Sequence, residues 1–247
     1  AEPGAIDNAS GVAVCIAAAR ALESAIAKGT IRRPKRSIRF LSGFECYSFF
    51  HYMEFQRRYQ TPIAGLCVDT VGARPEVCEG QFSWRATIPM SATFVDRIGE
   101  AVARSVIRRY KPGYRLVTGP FVSTSDTLAG DPKYGFPCPW ITTHYRKNDR
   151  PWKAYHSSAD LPSLLSPSGL ATATLTSAAY LTYLADIGRQ PLPEKITRNK
   201  VDNYELVPRK RPLVLRTFMQ RVGRHAIAVG FPSSPHFAFD ARGGRVV

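Results

Sequence analysis

Four side chains in this sequence are suited to holding a cation or moving a proton, and each sits where a strand or loop meets a helix. Asp7 lies in "PGAIDNAS", a Pro-Gly turn that runs directly into an Ala-rich helix. Glu45 follows "SIRFLSGF", Asp69 closes the apolar run "IAGLCVD", and His156 lies in "YHSSAD". In a parallel α/β sheet, sites form at the carboxyl ends of strands and in the loops leaving them. Two Asp, one Glu and one His gathered on such an edge make an oxygen–nitrogen donor set that suits zinc. Singly, each has a plainer use: an Asp before a helix caps it or meets its dipole, and a Glu after a strand is usually solvated. Cys46, beside Glu45, adds a thiol whose thiolate is also a good zinc ligand.

The elements that would position these groups alternate in type. Residues 10–28 read as a helix, capped by Ser10 or Asn8, with Val12, Cys15, Ile16, Ala19, Leu22 and Ile26 recurring at helical spacing and Gly29 as the stop. Residues 37–44 and 63–72 read as strands, with a helix over 47–59 between them. Residues 81–88 read as a further strand, 92–110 as an amphipathic helix, 138–144 as a strand and 167–187 as a long helix. Such alternation predicts a three-layer α/β/α fold around a mixed, mainly parallel sheet. At "GRQPLPEK" (188–195) the composition changes, and from residue 191 onward the chain is Pro-interrupted and basic, with 11 Lys/Arg against 4 Asp/Glu. The expected organisation is a core domain over 1–190 and a basic extension over 191–247, for which a subunit contact in a homo-oligomer is one use.

The 247 residues suffice for one large α/β domain, and 44% hydrophobic with 21% charged residues is ordinary for a globular protein. A net charge of +15 raises nucleic-acid binding. The basic clusters at 31–36, 108–115 and 208–212 are far apart and carry no nucleic-acid motif, which argues against it. No uninterrupted apolar run approaches the ~18 residues of a spanning helix, so no membrane partner is expected. Five cysteines without CxxC spacing, several in apolar segments, read as free thiols rather than a disulfide framework. That tilts the expected location toward the cytoplasm, which is otherwise open.

The segment "PGAIDNASGVAVCIAAARAL" closely resembles the "PGAxDNASGVAxxLExAR" segment of the co-catalytic zinc aminopeptidases, metallopeptidase family twenty-eight of clan MH. The resemblance continues in order. "IRFLSGFECYSF" is similar to the family's strand ending in an acidic pair, and "IAGLCVDTVG" to its "NLDMVG" strand. "PFVSTSDTLAGDPKYGFPCPWI" is similar to its "SDHxxFxxxGIP" segment, and "YHSSAD" to "YHTxxD". Five blocks over roughly residues 3–187 make it specific.

This resemblance implies a zinc-dependent exopeptidase, an aminopeptidase acting on a peptide substrate. Asp7 would bridge two zinc ions, Asp69 would bind the first and His156 the second, and Glu45 would be the general base. Ser125, Asp126 and Tyr155 would contact substrate. Two zinc ions lower the pKa of a shared water, and a neighbouring carboxylate moves its proton.

The sequence departs from the pattern in three places. The family's leading zinc-binding His should precede Asp7, and none of the first six residues is His; the first strands are expected to lie ahead of Ala1. Cys46 stands where a second Glu or a His is usual, which leaves two, one or no zinc ions open. Thr127 stands where relatives often show His. The alternative reading is therefore a metal-deficient, non-catalytic peptidase-like binding protein, or an acyltransferase of the glutaminyl-cyclase kind.

Overall fold

The computed structural model describes residues 3–44, 48–49, 51–52, 62–89, 93–122, 129–130 and 136–187. The basic extension 191–247 lies outside them, as does most of the helix expected over 47–59.

The chain is an α/β protein whose helices flank a central, mainly parallel sheet, in the expected three-layer α/β/α architecture. The described elements are α1 (Ser10–Ala27), β1 (Cys67–Val68), β2 (Gln81–Arg85), α2 (Phe94–Tyr110), β3 (Arg115–Gly119), β4 (Trp140–Thr142) and α3 (Pro167–Asp186). The strands lie in the order β1-β4-β2-β3. β1 runs parallel to β4 and β2 parallel to β3, while β2 and β4 are antiparallel, with Trp84 opposite Ile141.

Each long helix is explained by its buried face and its ends. In α1 the buried residues Val14, Ala18, Ala21, Leu22 and Ala25 recur at three- and four-residue steps. By length and composition the stretch Ala5–Ala27 could cross a membrane, but here that face is packed into the core. Gly29, at φ 64°, ends the helix: its N–H and that of Thr30 return to Ile26 and Ala25. α2 starts at Thr93, whose hydroxyl accepts the N–H of Val95, and ends at Lys111 in the left-handed region. α3 starts at Ser166, which accepts from Gly169, with Pro167 in its first turn. α1 packs on α3, and α3 on α2.

Trp84 of β2 is the hinge pin of this packing. It is fully buried, meets Tyr180 of α3 edge-on at 5.3 Å, and lies directly against Gly99 of α2, where any β-carbon would collide with the indole. Buried Asp96 of α2 accepts from the Trp84 indole N–H and from both the N–H and hydroxyl of Thr87. Burying an indole contributes about 2–3 kcal/mol, and the Asp96 bonds fix which helix may lie over it.

Two expectations need correction. Residues 37–44 are not a strand: Ile38 and Phe40 pack against the core in strand-like alternation, but the segment has no ladder among the described residues. Its apolar pattern is met by one-sided packing alone, and Phe44 at its end is 86% exposed. Conversely, β3 forms where no strand is expected. Its sequence RLVTG is only partly buried, and it gains its place through pairing with fully buried β2. The strands expected over 63–72, 81–88 and 138–144 form over shorter spans, Cys67–Val68, Gln81–Arg85 and Trp140–Thr142, with single backbone hydrogen bonds continuing at Asp69, Ala86 and Thr143.

Candidate functional site

The leading turn, Ala5–Ala9, is held by one buried carboxylate. Asp160 accepts the N–H of Ile6 at 2.8 Å on one oxygen and that of Asp7 at 3.0 Å on the other, while its backbone carbonyl accepts the N–H of Ala5 at 3.2 Å. Gly4, at φ 59°, lets the chain fold back; a β-carbon there would sit 2.8 Å from the Asp7 carbonyl. The peptide between Asp7 and Asn8 is cis.

Asn8 then ties this turn to the end of β1. Its Oδ1 accepts from Gly11 at 3.0 Å, capping α1, and from Thr70 at 3.1 Å, while its Nδ2 donates to the Val68 carbonyl at 3.3 Å. Buried Ser10 adds a second link, donating to the Ile6 carbonyl and accepting from Val71. Asp69, 6% exposed, is thus held at the carboxyl end of β1 beside the turn, with Thr70 donating to its Oδ2 at 3.4 Å.

Because Asp160 closes the loop that carries His156, clamping the turn also brings His156 to Asp7. Nε2 of His156 lies 3.1 Å from Oδ2 of Asp7, with the His side chain 59% and the Asp side chain 25% exposed. His156 occupies the left-handed region at φ 52°, a conformation that costs of order 1 kcal/mol or more in a non-glycine residue and recurs at ligand sites.

Behind His156 runs a continuous row of rings. Tyr155 stacks on His156 at 3.8 Å and meets His144 edge-on at 4.5 Å. His144 in turn meets Tyr145 at 4.6 Å and Trp152 at 5.4 Å. Arg85 closes the row, its guanidinium 4.2 Å from the Tyr145 ring centre. Burial, then the neighbouring His156 and Arg85, push the pKa of His144 down to about 4. It is a neutral imidazole near neutral pH. Burial raises the Tyr145 hydroxyl, with Arg85 opposing and Asp149 and Asp69 reinforcing the shift.

The structure therefore brings together Asp7, His156 and Tyr155, and sets Asp69 against the same turn. Glu45, Cys46, Ser125 and Asp126 lie outside the described residues. Among the described residues no three His, Cys, Asp or Glu side chains gather closely enough to hold a metal ion. Asp7 and His156 are two donors already in contact with each other, whereas a zinc centre takes three or four ligands from the protein. The described donor set does not fit zinc. Three of the four described thiols are no substitute: burial raises Cys15 and Cys78 to about 11 and Cys138 to about 12.

Sequence reasoning offered Asn8 only as a helix cap and missed its tie to the end of β1, Asp160 as the clamp, and the contact of Arg85 with Tyr145 and Asp149. Asp160 was visible as the last letter of "YHSSAD", and Asn8 as half of "DN"; only their backbone partners were not.

Residues 1–45, which contain the leading turn, α1 and the segment ending at Glu45, match peptidase family M28. The match is to the broad family and to no particular branch of it. Among solved structures, the gamma-secretase component nicastrin is similar at 15% identity and a TM-score of 0.34, over 53% of this chain and 23% of that one. The chain thus spans about a quarter of the length of that relative. No curated protein matches the sequence.

Proposed function

We propose that this protein binds the amino terminus of a peptide on a peptidase-like scaffold, without hydrolysing it through zinc. The observation that carries this reading is the direct contact of Asp7 with His156 at 3.1 Å. That contact pairs the carboxylate with an imidazole, and among the described residues no third His, Cys, Asp or Glu joins them closely enough to hold a metal. Asp7 remains partly exposed, so an incoming ammonium can donate a charge-assisted hydrogen bond to it. The stacked Tyr155 and His156 rings offer an adjoining flat face for the first peptide unit.

A second reading, a zinc-dependent aminopeptidase with Glu45 as general base, is favoured by the family M28 match over residues 1–45. It needs donors beyond Asp7 and His156, Cys46 being the nearest in sequence to Glu45.

Two measurements on the full chain separate the readings. Calorimetric titration with trialanine should give binding that is lost in Asp7→Asn and with N-acetyl-trialanine. Hydrolysis of leucine p-nitroanilide should be absent with and without added zinc. Zinc-dependent turnover abolished by chelator and by Glu45→Gln would establish the second reading and remove the first.

A further inference from the structure

Arg85 ends β2 with its side chain only 6% exposed, yet its Nε has no hydrogen-bond partner among the described residues. A buried guanidinium is costly unless its donors are used. Nη2 is paired with Oδ1 of Asp149 at 2.8 Å, but the Asp149 side chain is 73% exposed. A pair built for structure would bury both members alike; here the cation is fixed in the wall and the anion reaches in from solvent. The cation cannot retreat, because Gly119 of β3 lies against Nη1 on one side and the Tyr145 ring lies over the guanidinium. Asp149 is the movable member. It sits on a short turn in which both Asn148 and Asp149 adopt left-handed backbone, at φ 68° and 55°.

The row of rings joins this arginine to the Asp7–His156 pair without a gap, through Tyr145, His144 and Tyr155. One end of the row therefore presents a carboxylate and the other a buried cation with a free donor. That is the charge pattern complementary to a short peptide with a free amine at one end and a carboxylate further along.

We propose that Arg85 is a carboxylate-binding subsite, and that the carboxylate of a bound peptide occupies it by displacing Asp149. The displaced side chain is already largely solvated, so it moves into water, and the incoming carboxylate can engage two guanidinium donors where Asp149 engages one. This deepens the peptide-binding reading and rests on it.

The test is calorimetric titration of the full chain with three probes: trialanine, trialanine amide and N-acetyl-trialanine. Loss of a charge-assisted pair corresponds to about tenfold in affinity. Trialanine should therefore bind about tenfold more tightly than its amide, and Arg85→Gln should level the two. Asp149→Ala, at an exposed position, should strengthen trialanine binding several-fold while leaving the amide unchanged. Equal binding of acid and amide by the unsubstituted protein, or an acid preference that persists in Arg85→Gln, would overturn the subsite while leaving the amine reading standing. Failure of both acid and amide to bind would overturn the amine reading and the subsite together. The comparison on the unsubstituted protein and on Asp149→Ala decides the matter even should Arg85→Gln not fold.

Discussion

Asp160→Ala probes the clamp on which the site's geometry depends. The substitution removes both carboxylate oxygens, and with them the acceptors for the N–H groups of Ile6 at 2.8 Å and Asp7 at 3.0 Å. Ile6 is completely buried and Asp160 itself is 2% exposed, so water cannot readily replace the lost acceptor for Ile6. A hydrogen bond to a charged group is worth roughly 1.5–3 kcal/mol when its partner is removed. The two together set an expected loss of about 3–5 kcal/mol, a large share of a typical domain's stability. Asp160→Asn keeps one acceptor oxygen and should cost about half as much. Urea unfolding followed by circular dichroism, with the slope unchanged, gives both numbers. A loss below about 1 kcal/mol in Asp160→Ala would mean that the leading turn is held by something else and that the account of how Asp7 meets His156 is wrong.

Asn8→Ala should remove three hydrogen bonds between the turn, α1 and the end of β1; the expected loss of about 2–3 kcal/mol appears as a fall in Tm of roughly 5–10 °C. Gly99→Ala drives a methyl into the Trp84 indole, so a destabilisation of about 1–3 kcal/mol should accompany a shift in tryptophan emission. His144, with its pKa lowered to about 4 by burial, His156 and Arg85, predicts acid sensitivity. Between its ordinary value of about 6.5 and the folded value, the unfolded chain binds more protons, so stability is fully present above about pH 6.5 and falls toward pH 4. Partial exposure of the ring reduces the effect to about 1–2 kcal/mol. Proton NMR of the His144 ring should find it titrating well below the ordinary imidazole value of about 6.5, and His144→Phe should flatten the pH dependence of unfolding.

The helices were legible because each carries its own instructions. The span of α1 and its stop at Gly29 could be read, but not its buried face. Of the stripe Val12, Cys15, Ile16, Ala19, Leu22 and Ile26 only Leu22 is buried, and Val12 is 40% exposed. The core takes Val14, Ala18, Ala21 and Ala25 instead, because an Ala-rich helix offers small residues on every side. The sheet was less so, because a strand is defined by its partner. Ile38 and Phe40 alternate as a strand would, but no ladder forms among the described residues, whereas Arg115–Gly119 has a weak pattern and pairs with β2 along its whole length. The site shows the same division. Asp7 and His156 could be marked by residue type and by family resemblance, and they meet. What brings them together is a carboxylate binding backbone N–H groups more than 150 positions away, and no local pattern encodes that. Arg85 was hidden for a related reason: in sequence it is one of many basic residues on a strongly cationic chain, and only burial against Gly119 and Tyr145 distinguishes it.

The most direct test of the central claim is the affinity of the full chain for trialanine, measured after chelator treatment and again with stoichiometric zinc. A peptide amine received by the Asp7 carboxylate predicts the same affinity in both states, and its loss in Asp7→Asn. Binding that appears only with zinc, accompanied by cleavage of the peptide, would contradict it.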